Sequence, residues 1–283
     1  MMNFTKVHAL GNDFLLVEDN QEIQADQLPS LTRQLCERHT GIGADGLILI
    51  RVFDFERGLV SFRIFNADGS EAEISGNGLR CASAFLFHYQ KVPGKVINFE
   101  TIVGEHLTEL ITRDNSHFEI RTDMGQPKFS SKDIPFDDGS EHDFIIDYPL
   151  SINRKIYNIT CVSTGNPHCD IFVERFFPAR IEWHQIGQEV EHHPFFPNRT
   201  NVEFIRVLNR NEIEVLFWER GVGETLASGT GACAAAVASI LKGLTERKDR
   251  VWTNLGTLIV EWEKDKLFQT GPAELVFEGR SFI

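Results

Sequence analysis

Short runs of apolar residues, each bounded by Gly, Asn or Asp, dominate the hydrophobic pattern of the chain. They are rich in Val, Ile and Phe and too short for helices, so they predict strands. The predicted strands are 14–17, 47–52, 59–65, 144–148, 156–162, 171–173, 202–207, 213–218 and 257–262. Three segments, 28–39, 78–90 and 231–244, carry helix signals instead. Strands outnumber helices without regular strand–helix alternation, which favours an α+β fold with mostly antiparallel sheets.

The two halves of the chain share landmarks at a nearly constant spacing. Gly11-Asn12 and Gly165-Asn166, 154 residues apart, each precede a strand-like segment. A strand ends at Phe65-Asn66 and again at Trp218-Glu219, 153 residues later. Ser75-Gly76-Asn77-Gly78 and Ser228-Gly229-Thr230-Gly231, again 153 apart, each open an Ala-rich helix. Glycine-rich turns before helices explain each pair but not the common spacing. We expect two similar domains related by a pseudo-twofold axis, 1–125 (joined by 273–283) and 126–272.

Charge and composition exclude several classes of partner. The 283 residues include 28 Lys and Arg against 41 Asp and Glu, a formal charge of −13. Nucleic-acid backbones and anionic membranes attract excess positive charge, so neither is predicted as a partner. No apolar run approaches the roughly 18–20 residues of a membrane span. The five scattered cysteines form no CxxC pattern, so neither a disulfide framework nor a metal site is indicated. We expect a cytoplasmic protein, and a homodimer is compatible with the sequence.

The repeated S-G-x-G segments place small residues immediately before a predicted helix. The first N–H groups of a helix are unpaired and carry the positive end of its dipole, so such a loop binds an anion. No Lys follows either loop as it does in a phosphate loop, which favours a carboxylate. The alternative is that Ser75 and Ser228 are only N-caps.

Two equivalent loops that face each other across a domain cleft would act on both faces of one carbon. Racemisation needs this arrangement, because one group removes the α-proton and another returns it from the opposite side. Preorganised donors at helix N-termini stabilise the carbanion that forms. The repeat therefore predicts a small-molecule active site in the interdomain cleft.

Further motifs are spread over nearly the whole chain. They are Gly11-Asn12-Asp13-Phe14, Gly41-Ile42-Gly43-Ala44-Asp45-Gly46, Phe65-Asn66-Ala67-Asp68-Gly69, Gly76-Asn77-Gly78, Gly165-Asn166-Pro167-His168-Cys169, Glu219-Arg220-Gly221, Gly229-Thr230-Gly231-Ala232-Cys233 and Thr270-Gly271-Pro272-Ala273. In these motifs the chain resembles the diaminopimelate epimerase family, the cofactor-independent isomerases of lysine and cell-wall biosynthesis. The resemblance implies two halves, each with a barrel-like sheet around a central helix. It also implies interconversion of LL- and meso-diaminopimelate without a metal or pyridoxal phosphate.

The resemblance implies substrate-binding residues in both halves. These are Asn12, Asn66, Gly76, Asn77, Asn166, Asn201, Glu219, Arg220, Gly229 and Thr230. Glu219 and Arg220 would hold the distal amino-acid group, with Arg220 as the bidentate partner of a carboxylate. His168 would lie beside the reacting centre, and a purely structural histidine is the alternative.

The chain departs from the family at the two catalytic positions. In the family a cysteine precedes each G-x-G, and the two cysteines form the thiol–thiolate pair that moves the proton. Here these positions are Ser75 and Ser228. A thiol has a pKa near 8.5 that a helix N-terminus lowers, whereas a serine hydroxyl needs a helper base. Cys81 and Cys233 lie well inside the predicted helices, where we expect them to be buried.

Three explanations of the serines stay open. In the first explanation, the chain is an engineered inactive form of a protein that has cysteines at these positions. Alternatively, it is a divergent member with one-base isomerase or dehydratase chemistry, for which Glu73, Glu224 or His168 would be the helper base. The third explanation is a non-catalytic amino-acid-binding paralogue.

Overall fold

The computed structural model describes residues 2–19, 23–176 and 180–282. Its elements, in chain order, are β1 (Met2–Ala9), β2 (Asn12–Glu18), α1 (Leu28–Cys36), β3 (Gly46–Asp54), β4 (Leu59–Asn66), β5 (Glu71–Ala72), α2 (Gly76–His88), β6 (Val96–Thr101), β7 (Gly104–Asp114), β8 (His117–Asp123), β9 (Ile145–Ile152), β10 (Lys155–Ser163), β11 (Pro167–Phe172), α3 (Arg180–Glu191), β12 (Asn201–Asn209), β13 (Glu212–Glu219), β14 (Gly223–Thr225), α4 (Gly229–Leu241), β15 (Lys248–Thr253), β16 (Gly256–Glu263) and β17 (Lys266–Ser281).

The chain forms two compact units. The first consists of Met1–Asp123 with Thr270–Ile283, and the second of Met124–Gln269. The long strand β17 therefore begins in the second unit and continues into the first. Most strand pairings within the described residues are antiparallel. The predicted α+β class with mostly antiparallel sheets is confirmed.

Strands of the first unit pair in a closed ring. The order is β1, β2, β3, β4, β6, β7, β8 and β17, and β17 returns to pair with β1. The β2–β3 and β4–β6 pairings are parallel. Parallel neighbours need a crossover connection, which α1 supplies for the first pair and α2 for the second.

Helix α2 is the core element of the first unit. Ten consecutive residues, 78–87, are buried, and a helix that is buried on every side must be apolar or small nearly all round. Its side chains pack in one hydrophobic cluster with residues from β1, β2, β3, β4, β6, β8 and β17. The paired rings of Phe62 and Phe99, 5.7 Å apart, fill part of the space between the helix and the strands.

The second unit repeats this plan around α4. Strand β11 pairs parallel with β12 after α3, and β13 pairs parallel with β15 after α4. The pairings β9–β10, β10–β11, β12–β13, β13–β14 and β15–β16 are antiparallel, as are their counterparts in the first unit. Residues 231–239 of α4 are all buried, and five of these nine are Ala, which lets six strands approach the helix closely. The shared order of elements and pairings agrees with the internal repeat seen in the sequence.

Several elements differ from the sequence prediction. Helices α2 and α4 begin at Gly76 and Gly229, two residues earlier than predicted, because the serine before each glycine is already the cap. Helix α1 ends at Cys36, since the backbone of Glu37 is extended. Strands β1, β5, β6, β7, β8, β14, β15 and β17 have no counterpart in the sequence prediction, and neither has α3. The repeat contained the signal for α3, because it occupies the place of α1 between two parallel strands. None of the helices described here is long and apolar enough to cross a membrane.

A prediction concerns the third helical residue of each repeat. A Cβ atom at Gly231 would lie 2.6 Å from Glu203 Oε1 and 2.9 Å from Phe217 Cδ1, whereas one at Gly78 would lie 3.1 Å from Ile64 Cδ1. We expect Gly231→Ala to destabilise the second unit by about 1–3 kcal/mol through overpacking. For Gly78→Ala, we expect a loss below about 1 kcal/mol, because the gain in helix propensity offsets milder crowding.

Urea unfolding distinguishes the two variants. All four tryptophans (Trp183, Trp218, Trp252 and Trp262) belong to the second unit, so their fluorescence reports Gly231→Ala. Far-UV circular dichroism reports Gly78→Ala. Equal losses in both variants would contradict the packing argument.

Candidate active site

The strand registers bring the predicted site residues of each unit to one end of its sheet. In the first unit Ala9 pairs with Asn12, and Gly46 pairs with both Phe14 and Asn66. In the second unit the corresponding turn joins Ser163 to Pro167, and His168 pairs with Asn201. Most of the candidate side chains therefore lie where strands begin or end, a consequence of topology that spacing alone does not reveal.

Ser75 is the N-cap of α2. Its backbone is extended (φ −143°, ψ 121°), and its Oγ accepts a hydrogen bond from Gly78 N at 3.1 Å. The first intrahelical bond runs from Leu79 N to Ser75 O at 2.8 Å. The helix itself thus supplies no acceptor for the N–H groups of Gly76 and Asn77, which is the arrangement that binds an anion.

A chain of amides fixes the orientation of Asn12 and Asn77. Asn12 Nδ2 donates to Asp45 Oδ2 at 2.9 Å, and Asn12 Oδ1 accepts from Asn77 Nδ2 at 3.1 Å. The buried Arg80 donates in turn to Asn77 Oδ1. Asn66 takes no part in this chain, and its Nδ2 donates to Ser70 Oγ at 2.9 Å. Of the predicted residues in this unit, the structure therefore joins Asn12 to Asn77.

The carboxylate of Asp13 anchors the loop that carries Asn12. It forms ion pairs with Lys6 and with Arg38, and the Arg38 guanidinium also bridges to Asp45 Oδ1 at 2.8 Å. Burial alone would raise the pKa of Asp13, but hydrogen bonds from Arg38 and Lys6 outweigh it and lower the pKa to about 2. Asp13 is thus a carboxylate at neutral pH, held between two cations.

Ser228 is the N-cap of α4 and is nearly buried, with 7% of its surface exposed. Its backbone is extended (φ −134°, ψ 128°), and its Oγ accepts from Gly231 N at 3.3 Å. Ala232 N donates to Ser228 O at 3.0 Å, so the N–H groups of Gly229 and Thr230 also lie ahead of the first helical bond. Both serines are thus N-caps, a position that serine favours.

His168, Asn166 and Thr230 form a second polar chain at the start of α4. His168 Nε2 lies 2.8 Å from Asn166 Oδ1, and Asn166 Nδ2 donates to Thr230 Oγ1 at 3.4 Å. The other ring nitrogen, Nδ1, lies 2.8 Å from Glu203 Oε1. Burial lowers the pKa of His168 to about 3. The ring is fully enclosed, so in this structure it can influence a ligand only through its partners.

Asn201, Glu219 and Arg220 meet at a neighbouring loop. Asn201 Oδ1 accepts from Arg220 N at 2.9 Å, and Asn201 Nδ2 donates to Pro167 O at 2.8 Å. Thr225 Oγ1 donates to Glu219 Oε1 at 3.0 Å. The guanidinium of Arg220 is exposed apart from a hydrogen bond from Nη1 to Asn198 O at 3.1 Å.

Sequence reasoning missed two buried acids that hold these loops. Glu191 accepts from Gly221 N and from Trp218 Nε1, both at 2.8 Å, and so fixes the loop that follows β13. Glu203 contacts His168 from β12. The available signal was a charged residue inside an otherwise apolar run, Val202-Glu203-Phe204.

Asp170 is an unpaired acid next to Glu203. The two residues are register partners on parallel strands, and both are buried. Neither Asp170 oxygen has a hydrogen-bond partner within the described part of the chain. Burial raises the pKa of Asp170 well above its usual range, and a negative charge on Glu203 would raise it in the same direction.

The cysteines supply no replacement for the missing thiols. All five are buried and free. Burial raises the pKa of Cys36 to about 11 and also raises those of Cys81 and Cys169 well above the usual value of a thiol. The expected burial of Cys81 and Cys233 is confirmed, and Cys169 packs in the core next to α3. In the described ranges, no group of three His, Cys, Asp or Glu side chains is arranged to hold a metal ion.

Comparison with known proteins agrees with this picture. The sequence profile described as diaminopimelate epimerase matches residues 4–130 and 160–276. The chain belongs to the diaminopimelate epimerase family. It is 46% identical over 281 residues to the diaminopimelate epimerase of Moorella thermoacetica, covering 98% of both chains. It is 40% identical over 285 residues to that of a Synechocystis strain, covering 100% of this chain and 99% of the relative.

A solved structure shares the fold at much lower identity. A predicted epimerase from Pseudomonas aeruginosa superimposes with a TM-score of 0.67 at 16% identity, with both chains covered completely. The family assignment therefore rests on the sequence relatives, and this structure supports the fold. The roles of individual site residues stay predictions, including those of the serines that stand at the family's cysteine positions.

The first prediction for the site concerns Asp13. Asp13→Asn leaves Lys6 with an uncompensated charge in a largely buried place, so we expect a loss of about 2–3 kcal/mol at pH 7. Asp13 has a lowered pKa in the folded state, so its contribution is present above the unfolded pKa near 3.8 and disappears as the pH falls toward about 2. The difference between the variant and the parent should shrink in that window when unfolding is followed by circular dichroism. The exposed Asp26→Asn is the matched control, and an equal loss there would refute the assignment.

The second prediction concerns Asp170. A raised folded-state pKa means that stability falls as the pH rises above the unfolded value of 3.8, because the buried carboxyl must stay protonated or be ionised without a partner. Asp170→Asn cannot ionise. We expect it to match the parent in stability near pH 4 and to be more stable than the parent at pH 8, where an ionised Asp170 would be buried without a partner among the described residues.

Tryptophan fluorescence during urea unfolding measures the Asp170 effect. The exposed Asp143→Asn in the same unit should show no such pH-dependent gain. A parent that is as stable as Asp170→Asn at both pH values would mean that Asp170 has a partner or stays ionised at no cost.

Proposed function

We propose that the chain carries the substrate-binding scaffold of a diaminopimelate epimerase, and that the reaction of this scaffold, when cysteines occupy positions 75 and 228, is inversion at the α-carbon of an amino acid. The observation that carries the proposal is the matched pair of capped loops, Ser75-Gly76-Asn77 and Ser228-Gly229-Thr230. Full-length relatives named diaminopimelate epimerase supply the substrate class. The excess of acidic residues also fits a cytoplasmic protein whose ligand is a small molecule and not a nucleic acid.

The backbone donors would bind the carboxylate next to the reacting carbon. Removal of the α-proton places negative charge on that carboxylate and on the α-carbon. N–H groups at the first turn of a helix are already oriented toward such charge and need no rearrangement as it develops. Polar side chains would bind the remaining polar groups of the substrate. These side chains are Asn12, Asn66 and Asn77 of the first unit and Asn166, Asn201, Glu219 and Arg220 of the second.

The capped positions explain why a thiol suits the chemistry and a hydroxyl does not. Each serine Oγ accepts an N–H from the third helical residue, at 3.1 Å for Ser75 and 3.3 Å for Ser228. A cysteine there would gain the same donor for its thiolate, which lowers the thiol pKa. A serine hydroxyl stays protonated in the same place. We therefore expect the serine chain to bind diaminopimelate without turning it over.

One-base chemistry at the serines has little support. Glu73 is exposed, and Glu224 Oε2 accepts from His184 Nε2 at 2.7 Å. His168 is enclosed, with both ring nitrogens bound to protein. The hydrogen bonds described for the two serine hydroxyls come from backbone N–H groups, which cannot remove a proton. A non-catalytic binding protein is the remaining alternative, and restoring the thiols distinguishes it.

The test is α-deuteration of LL-diaminopimelate in heavy water, followed by mass spectrometry. We expect no exchange by the serine chain, and both exchange and epimerisation by the double variant Ser75→Cys, Ser228→Cys. Isothermal titration calorimetry should detect binding to both. The matched control is Ser83→Cys with Ser239→Cys, which adds two thiols farther along the same helices, at serines whose Oγ atoms donate to Leu79 O and Ala235 O.

Two results would contradict the proposal. Exchange by the serine chain itself would show that thiols are not required. Binding without any turnover after both cysteines are introduced would identify a binding protein.

A further inference from the structure

Glu203 reaches His168 through the parallel register of β11 and β12. His168 pairs with Asn201 and Asp170 pairs with Glu203. The side chains of His168 and Glu203 are 0% and 1% exposed, and 2.8 Å separates Nδ1 from Oε1. At this distance the two atoms share one proton, and both side chains are shielded from solvent. The proton therefore resides either on His168 Nδ1 or on Glu203 Oε1.

The hydrogen bonds around Asn166 show which ring nitrogen of His168 carries the proton. Asn166 Nδ2 donates to Thr230 Oγ1, so its Oδ1 faces His168 Nε2 and also accepts from Thr164 Oγ1 at 3.5 Å. A carbonyl oxygen accepts, so His168 Nε2 donates. A neutral imidazole then has a lone pair at Nδ1, and Glu203 Oε1 must donate a proton to it.

The surroundings favour this neutral pair over an imidazolium and a carboxylate. The charged or titratable groups that face the pair are Asp170 on β11, Glu219 at the end of β13 and Arg220 beyond it. An ionised Glu203 would adjoin Asp170, which has no partner in the described residues. Burial lowers the pKa of His168 and raises that of Glu203. Both shifts favour the neutral forms, an uncharged imidazole and a protonated carboxyl.

The first turn of α4 also contacts Glu203. A Cβ atom at Gly231 would lie 2.6 Å from Glu203 Oε1, so the helix terminus and the acid are in close contact. The hydrogen-bonded series Glu203–His168–Asn166–Thr230 thereby connects the interior of the second unit with the first turn of α4, the helix that Ser228 caps.

We propose that Glu203 is a positioning residue: as a carboxylic acid it donates to His168 Nδ1, fixes the Nε2–H tautomer, and so orients the Asn166 amide toward Thr230. The assignment of Asn166 to substrate binding rests on the proposed function, whereas the proton placement does not. In this arrangement His168 is uncharged, and its Nε2–H group holds the Asn166 amide in one orientation. The Nδ2 group of Asn166 is then always presented on the side of α4.

The experiment observes His168 directly. Nitrogen-15 NMR of histidine-labelled chain identifies which ring nitrogen carries hydrogen, and the side-chain amide signals of Asn166 report its hydrogen bonds. Variants Glu203→Gln and Glu203→Met are compared, since Gln can donate to Nδ1 whereas Met fills a similar volume without a donor. Asp170→Asn is the matched control on the same face, because it alters the neighbouring acid without touching the ring.

We expect the neutral Nε2–H form of His168 throughout the neutral pH range in the parent, in Glu203→Gln and in Asp170→Asn. Glu203→Met should change the tautomer balance and shift the Asn166 amide signals. By calorimetry, its affinity for LL-diaminopimelate should fall at least about tenfold, while that of Glu203→Gln stays within about twofold.

Other outcomes separate the two proposals. A doubly protonated His168 ring in the parent, or a tautomer and Asn166 signals that Glu203→Met leaves unchanged, would overturn the positioning role. Absence of diaminopimelate binding in every variant, with the NMR results as expected, would overturn the proposed function and support the role of Glu203.

Discussion

A helix that is surrounded by strands can meet a ligand only at its ends. Helices α2 and α4 are buried along nine or ten consecutive residues, so their sides are committed to packing. The N-terminal turn of each helix is polar. It contains the serine cap and the N–H groups of the next two residues. Apart from Asn77, which lies in the turn itself, the candidate asparagines lie at or next to the strand ends around it. The location of the candidate chemistry thus follows from the enclosure of the helix more than from any single side chain.

The same enclosure explains what the sequence reveals and what it hides. The glycine-rich loops, their serines and the constant spacing are readable, because a tight turn into an Ala-rich helix needs those residue types. Glu203 is not readable in the same way. Between Val202 and Phe204 it has the place of a solvent-facing residue in an alternating strand, but β12 is covered on both faces, by α4 and by α3. Residues 201–205 are all buried, and alternation carries no information once both faces lie inside.

The missed elements have related causes. Strand β8 alternates as a strand should, but its sequence contains His, Glu, Arg, Thr and Asp, so its apolar residues are too few to stand out. Helix α3 mixes polar and apolar residues and was visible only through its counterpart α1. Among the predicted site residues, Asn166 and His168 are two residues apart in one motif, so the sequence itself places them together. Asn12 and Asn77 are 65 residues apart, and only the fold makes them neighbours. Residue types identify candidates, and topology decides which of them become neighbours.

Because strand β17 is the last strand of the chain, the two units receive their final strands at different times during synthesis. The second unit, Met124–Gln269, is continuous in sequence, so all of its strands have been made once Gln269 leaves the ribosome. The ring of the first unit is closed by residues from Thr270 onward, which pair with β1 and β8. Until then β1 and β8 lack their shared neighbour, and open strand edges invite pairing with other chains. The half that is translated first is therefore the half whose last strand is synthesised last, after every strand of the second unit.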